Sequence, residues 1–250
     1  MFRIVIPARY ASSRLPGKPL AAIAGKPMIE WVYERARATR AREVVIATDD
    51  ARIEQAARAF GAAVMMTAVE HASGTDRIAE VAARCGWTDD DVVVNLQGDE
   101  PNMPAELVEQ VAELLLAHPQ AAIATLATPV GSREEYRDPN AVKVVTDLEG
   151  RALYFSRAPI PWDRDHEAGG ERYGAARRHL GLYAYRVRAL LQLAAAAPTP
   201  LEEIEKLEQL RALAHGMEIR VADAVRRPGP DVNTAEDLAR AAAALATPRQ

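Results

Sequence analysis

The chain has a single cysteine, Cys85, in 250 residues. A lone thiol excludes an intrachain disulfide framework, and without partner cysteines a zinc or iron–sulfur site is disfavoured as well. Cys85 reads as an ordinary thiol at a helix end. Charge of one sign is not in excess either: 31 Lys plus Arg stand against 35 Asp plus Glu, a formal charge of −4. No overall basic field points to nucleic acid, so any anion site must be local. No apolar run approaches the roughly 18 residues that span a bilayer, and the first residues enter a strand without a signal-peptide pattern. The expectation is a cytoplasmic protein with no membrane and no nucleic-acid partner. Two enzyme classes lack their signatures. The turn after the first strand has no Gly-x-Gly-x-x-Gly, which argues against a dinucleotide oxidoreductase, and Gly17-Lys18 lacks the upstream glycine and downstream Ser or Thr of a Walker loop. Repeats, low-complexity tracts and linkers are also missing.

What is present suits one large α/β domain over 1–250, since 49% hydrophobic content is enough for a sizeable core. The chain is organised around Ile4 to Leu20. Ile4-Val-Ile6 reads as a buried strand that Pro7 ends, because proline cannot donate to a sheet ladder. The loop that follows carries Arg9, Arg14 and Lys18 among the small residues Ala11, Ser12, Ser13 and Gly17, and is stiffened by Pro16 and Pro19. Cations and backbone N–H groups at the carboxyl end of a strand make a seat for a polyphosphate.

Downstream, strands and helices alternate, which predicts a largely parallel sheet. Met28, Ile29, Val32 and Ala36 recur at helical spacing. Strands are expected at Val44–Ala47 and Ala62–Met66, and helices over Ile53–Phe60, after a cap at Asp49 or Asp50, and about Asp76–Arg84. The strand Val92–Gln97 is nearly all apolar and delivers Gly98-Asp99-Glu100-Pro101 at its end. A carboxylate there, beside a glycine that leaves room for a ligand, is placed to hold Mg²⁺ for phosphate chemistry; the alternative is a strand end and helix cap. From Ala141 to Phe155 a hairpin with a turn at Asp147–Gly150 interrupts the alternation, marking an inserted lobe at about 129–185. Asp163 and Asp165 have metal-like spacing, but no apolar strand precedes them. His179–Tyr185 reads as a strand. One helix is expected from Pro200 with a face of Ile204, Leu207, Leu210 and Leu213. Thr234 and Asp237 form a capping box, for which Asp231 is not needed.

Ile6-Pro-Ala-Arg9, Ser13-Arg-Leu-Pro-Gly-Lys-Pro-Leu20 and Gln97-Gly-Asp-Glu-Pro101 resemble the sugar-acid cytidylyltransferases, in particular the branch acting on 3-deoxy-manno-octulosonate (Kdo). The resemblance runs from Ile4 to about Leu238. It implies a three-layer α/β/α nucleotidyltransferase fold with a small β-containing dimerisation lobe, a homodimer, and transfer of CMP from CTP to Kdo for lipopolysaccharide synthesis. It further implies nucleotide contacts at Ala8, Arg9, Ser13, Arg14 and Lys18, with Arg14, Lys18, Asp99 and Asp231 as catalytic groups and Mg²⁺ as cofactor. Sugar contacts are implied at Arg77, for the carboxylate, and at Gln97, His179, Tyr183 and Glu205. Family members take a second metal carboxylate from the aspartate immediately before the threonine. This chain has Asn233 there and Asp231 two residues earlier, so either Asp231 carries the charge with Asn233 as a neutral oxygen donor, or metal binding is weakened. A sialic-acid or 8-amino-Kdo activating enzyme and a non-catalytic nucleotide-binding module stay open as alternatives.

Overall fold

The computed structural model describes residues 1–11, 15–71, 73–164, 173–229, 231–232 and 234–246. In chain order, β1 (Phe2–Ala8) is followed by a 3₁₀ turn (Lys18–Leu20), the small hairpin β2 (Ala22–Ile23) and β3 (Lys26–Pro27), and α1 (Met28–Arg37). β4 (Glu43–Thr48), α2 (Ala51–Ala59), β5 (Ala63–Met66), α3 (Gly74–Arg84), β6 (Val92–Asn95) and α4 (Ala105–Ala117) continue the alternation. Then come β7 (Ile123–Pro129), α5 (Arg133–Arg137), β8 (Lys143–Thr146), β9 (Ala152–Ser156) and β10 (Arg177–Arg186). The chain closes with α6 (Val187–Ala195), α7 (Pro200–Glu205), α8 (Gln209–Ala214), β11 (Ile219–Asp223) and α9 (Ala235–Ala246).

The main sheet runs β11-β7-β10-β6-β1-β4-β5. Six of these seven strands are parallel; β10 is antiparallel to both β6 and β7. Side-chain alternation splits the core in two. Ile4 and Ile6 of β1 face α1, α2 and α4, while Val5 faces α3, α6 and α8. This is the three-layer architecture that the family resemblance implied, around the largely parallel sheet that the alternation predicted. The carboxyl ends of β1, β4 and β6 therefore share one edge, and β10 begins there. Of the 129–185 segment, the β8–β9 hairpin pairs antiparallel with β10 and extends the main sheet. Lys143 anchors it: the side chain is buried, and Nζ donates to Asp138 O and Arg157 O, both at 2.8 Å. Burial lowers its pKa.

Two expectations need correction. The single helix after Pro200 is two, because Lys206 adopts φ 53° and breaks it; Ile204, assigned to the buried face, is 80% exposed. β1 does not end at Pro7 but pairs with β4 through Ala8, because the proline's missing N–H falls on the β6 side, beyond the end of that ladder. β10, which contains the expected strand His179–Tyr185, is the antiparallel member of the main sheet. It carries an irregularity between His179 and Tyr183, where Thr125 Oγ1 reaches Leu180 O at 3.1 Å and Leu182 O at 2.8 Å. The Thr125 hydroxyl thus packs against the carbonyls of the irregularity, and such bulges re-aim side chains beside sites. The predicted caps hold: Asp50 accepts from Arg52 N, and Thr234 and Asp237 exchange bonds at 2.9 and 3.2 Å.

Candidate active site

β1 delivers Pro7, Ala8 and Arg9 to the carboxyl edge of the sheet, where the loop folds back. Gly17, at φ 68°, donates its N–H to Tyr10 O at 3.0 Å. That left-handed turn suits glycine, and a Cβ there would stand 3.1 Å from the Tyr10 ring. Arg52 covers the ring, its guanidinium 3.3 Å from the centroid, and Asp50 holds Arg52 through two bonds of 2.9 and 2.6 Å. The result is a seated loop that presents Lys18. Its Nζ donates to Asp99 Oδ2 at 2.7 Å and to Val232 O at 2.9 Å. Ala8, Arg9, Lys18, Gln97, Gly98 and Asp99 are among the residues around a cleft of about 320 Å³. Gly98 is required by its close approach to β1, since a Cβ would stand 2.9 Å from Pro7 O. Ser13, Arg14 and Asn233, together with Asp165, lie outside the described residues.

Carboxylates gather on the far side of Asp99. Burial raises the pKa of Glu100, and the charges of Asp99 and Asp231 raise it further. One Glu100 oxygen, Oε2, is closed from solvent with no hydrogen-bond partner among the described residues. Asp231 and Asp99 both line a second cleft of about 370 Å³, and Val232 N donates to Asp99 O at 2.9 Å, fixing the C-terminal segment to the strand end. Among the described residues no three His, Cys, Asp or Glu side chains close around one point. An all-oxygen pair with an orphaned carboxylate oxygen nearby nevertheless fits a hard divalent cation of the Mg²⁺ type. Such ions keep one or two protein carboxylates and take their remaining oxygens from phosphates and water.

The expected sugar contacts divide. Gln97, His179 and Tyr183 line the second cleft, and Gln97 and Tyr183 also line a small polar pocket of about 60 Å³ behind it. Arg77 does not reach a cleft surface: it is fully buried, with Nη2 donating to Asp49 at 2.6 Å and Nη1 to the Thr67 hydroxyl. A carboxylate of this chain occupies the guanidinium expected to meet a sugar carboxylate. Glu205 is similarly engaged, accepting from Ser156 Oγ at 2.6 Å and Arg157 N at 3.0 Å, so that it ties α7 to the hairpin. The acid that lines the small pocket is Glu208, beside Gln209. Glu208 accepts from Thr75 Oγ1 at 3.0 Å and Ser73 Oγ at 3.3 Å, and burial raises its pKa. Both residues escaped the sequence reading, although a polar Glu-Gln pair between Leu207 and Leu210 was a usable signal.

His179 has a defined state. Thr125 Oγ1 has one proton, which goes to a β10 carbonyl, so at 2.9 Å it accepts from His179 Nε2–H. Burial lowers the His179 pKa from 6.5 to about 3, and the ring is neutral at pH 7. Between those values the unfolded chain binds the proton and the folded chain does not. Stability is therefore full above pH 6.5 and falls as pH drops toward 3. Urea unfolding at pH 7 and pH 5 is expected to show the parent losing about 2 kcal/mol more than His179→Gln over that interval. Equal losses would remove His179 as the cause.

A family model described as cytidylyltransferase matches residues 3–219. Curated relatives named 3-deoxy-manno-octulosonate cytidylyltransferase include one from Halorhodospira halophila (strain DSM 244 / SL1), 56% identical over 99% of this chain and 98% of its own. Another, from Thioalkalivibrio sulfidiphilus (strain HL-EbGR7), is 55% identical over 96% of each. Among solved structures, a CMP:2-keto-3-deoxy-manno-octonic acid synthetase complexed with CTP superposes with TM-score 0.90 at 43% identity, covering 98% of this chain and 99% of that one. A model match over most of the chain and close, near-full-length relatives agree with the loop and strand-end motifs, and the chain belongs to the 3-deoxy-manno-octulosonate cytidylyltransferase family.

Proposed function

We infer that this chain transfers CMP from CTP to Kdo, releasing pyrophosphate. The observation that carries the reading is the meeting of two clefts at Gln97 and Asp99, one framed by the β1 loop with Arg9 and Lys18, the other by β10 and Glu100. The first suits a triphosphate and the second, with its polar pocket behind, a polyhydroxy acid. The anomeric hydroxyl of the sugar attacks the α-phosphorus, its proton leaves to solvent, and the bond to the β-phosphate oxygen breaks. Two anions must approach one another, so catalysis is chiefly positioning and charge stabilisation. Lys18 and Arg9 hold the phosphates, with Lys18 assigned to the α-phosphate and the leaving pyrophosphate; Arg14 belongs to the same reading. Gln97, Tyr183, Glu208 and Gln209 orient the sugar, and His179, neutral and committed to Thr125, shapes the wall beside it. Asp99 and Asp231, with Asn233 as a neutral oxygen, would hold Mg²⁺. When bound, that ion would supply Lewis-acid stabilisation and lower the pKa of the attacking hydroxyl.

Two copies pairing through the hairpin half belong to the same reading. It is supported by the exposed apolar side chains Leu148, Leu153 and Trp162. A cytoplasmic location follows from the use of CTP; no helix among the described residues is long and apolar enough to cross a membrane. Pyrophosphate release is expected with CTP, Mg²⁺ and Kdo together and not when any one is omitted. Parallel reactions with sialic acid, 8-amino-Kdo and other triphosphates test the substrate class. Release with a different acid would change the sugar pocket's assignment and keep the chemistry. Silence in every reaction from protein that binds CTP would favour a binding module.

A further inference from the structure

The ammonium of Lys18 sits on the carboxylate that the cation reading needs. Its Nζ is 2.7 Å from Asp99 Oδ2, and the two side chains are only 14% and 28% exposed, so solvent does not dissolve the pair. The second Lys18 bond, to Val232 O, together with Val232 N donating to Asp99 O, closes a ring between the β6 end and the segment bearing Asp231. Lys18 also lines the phosphate-side cleft with Arg9. One compact cation cannot remain against Asp99 and also serve a phosphate at full strength. Nor do an ammonium and a divalent ion share one carboxylate oxygen without strong repulsion at such separations.

We propose that Lys18 gates the two ligands. In the resting chain it neutralises Asp99 and competes with a divalent cation; a triphosphate draws the ammonium away and opens Asp99. The two ligands therefore favour one another, and because linkage is reciprocal, the cation also favours the triphosphate by keeping Lys18 off Asp99. This rests on the nucleotidyl-transfer reading and adds to it an order in which the site assembles, one that the resting ion pair imposes.

The test is Mn²⁺ binding to the full chain without nucleotide, followed through the free-ion electron paramagnetic resonance signal. Lys18→Met is expected to bind Mn²⁺ at least about tenfold more tightly than the parent, because a competitor and its charge are both removed. Asp99→Asn in the Lys18→Met background is expected to abolish that gain. Lys26→Met, which removes a remote surface cation, is expected to change nothing, separating the gate from bulk charge. Unchanged affinity in Lys18→Met, while Asp99→Asn still weakens binding, would overturn the gate and leave the cation site standing. Binding indifferent to Asp99→Asn in both backgrounds would instead overturn the cation site, and the gate with it. If Lys18→Met loses its circular-dichroism melting transition, Lys18→Gln provides the same comparison while its amide keeps a donor for Val232 O.

Discussion

Asp99→Asn is expected to lower turnover with CTP, Kdo and Mg²⁺ by two orders of magnitude or more while leaving the fold intact. The catalytic loss follows from what Asp99 does in the proposed site: it is the one carboxylate common to both clefts, and removal of such a charge-stabilising group costs on the order of 3 kcal/mol in the transition state. The fold is spared for a separate reason. The Asp99 carbonyl that receives Val232 N is backbone, so an isosteric amide keeps the tie to the C-terminal segment. Removal of one charge also relieves Glu100, whose carboxyl is pushed up in part by Asp99. Against that, the Lys18 ammonium loses its ion pair, though the amide oxygen of asparagine can still accept from Nζ, so the melting temperature should change far less than turnover. Near-parent turnover in a folded variant would remove Asp99 from the mechanism, and a collapse of stability would make it a structural residue.

The parts of this site that were legible in sequence are those built by local rules. The cations follow β1 at once, and a strand apolar on both faces hands Asp99 to the same edge, although β1 itself runs through Pro7 to Ala8. The parts that were not legible depend on who meets whom. Arg77 and Glu205 look like surface charges or ligands in the text of the sequence, yet each finds a partner contributed by a distant segment, Asp49 and Ser156 respectively. Period alone does not distinguish a parallel from an antiparallel strand, so β10 was seen and its direction was not. Lys206 hid the helix break, because a non-glycine residue in the left-handed region leaves no mark in composition. A continuous helix puts residues three apart on one face, but across Lys206 the chain turns, and Glu208 rather than Glu205 arrives at the pocket.

The same region gives the largest expected effect on stability. Arg211 of α8 donates Nε to Glu202 at 2.8 Å and Nη2 at 2.5 Å, and its Nη1 reaches Leu193 O at 3.0 Å and Ala196 O at 3.1 Å. Glu202 also accepts from Thr199 N at 3.2 Å. One fork thus joins the end of α6, the start of α7 and the body of α8, with both side chains nearly buried. Arg211→Ala leaves the Glu202 charge without its cation in a poorly solvated place and removes a donor from Leu193 O and Ala196 O, a loss of about 3–5 kcal/mol and roughly 10 °C in melting temperature. Glu202→Met with Arg211→Met is expected to cost clearly less than the sum of the single changes, since no lone charge is left behind. Additive losses would show that the pair is not coupled. Because Glu208 and Gln209 stand at the entrance to α8, a folded Arg211 variant should also raise KM for the sugar acid more than KM for CTP. That split connects stability to substrate binding: loosening the clamp disturbs the pocket facing the sugar and leaves the β1 loop, seated independently by Gly17, Tyr10 and Arg52, unchanged.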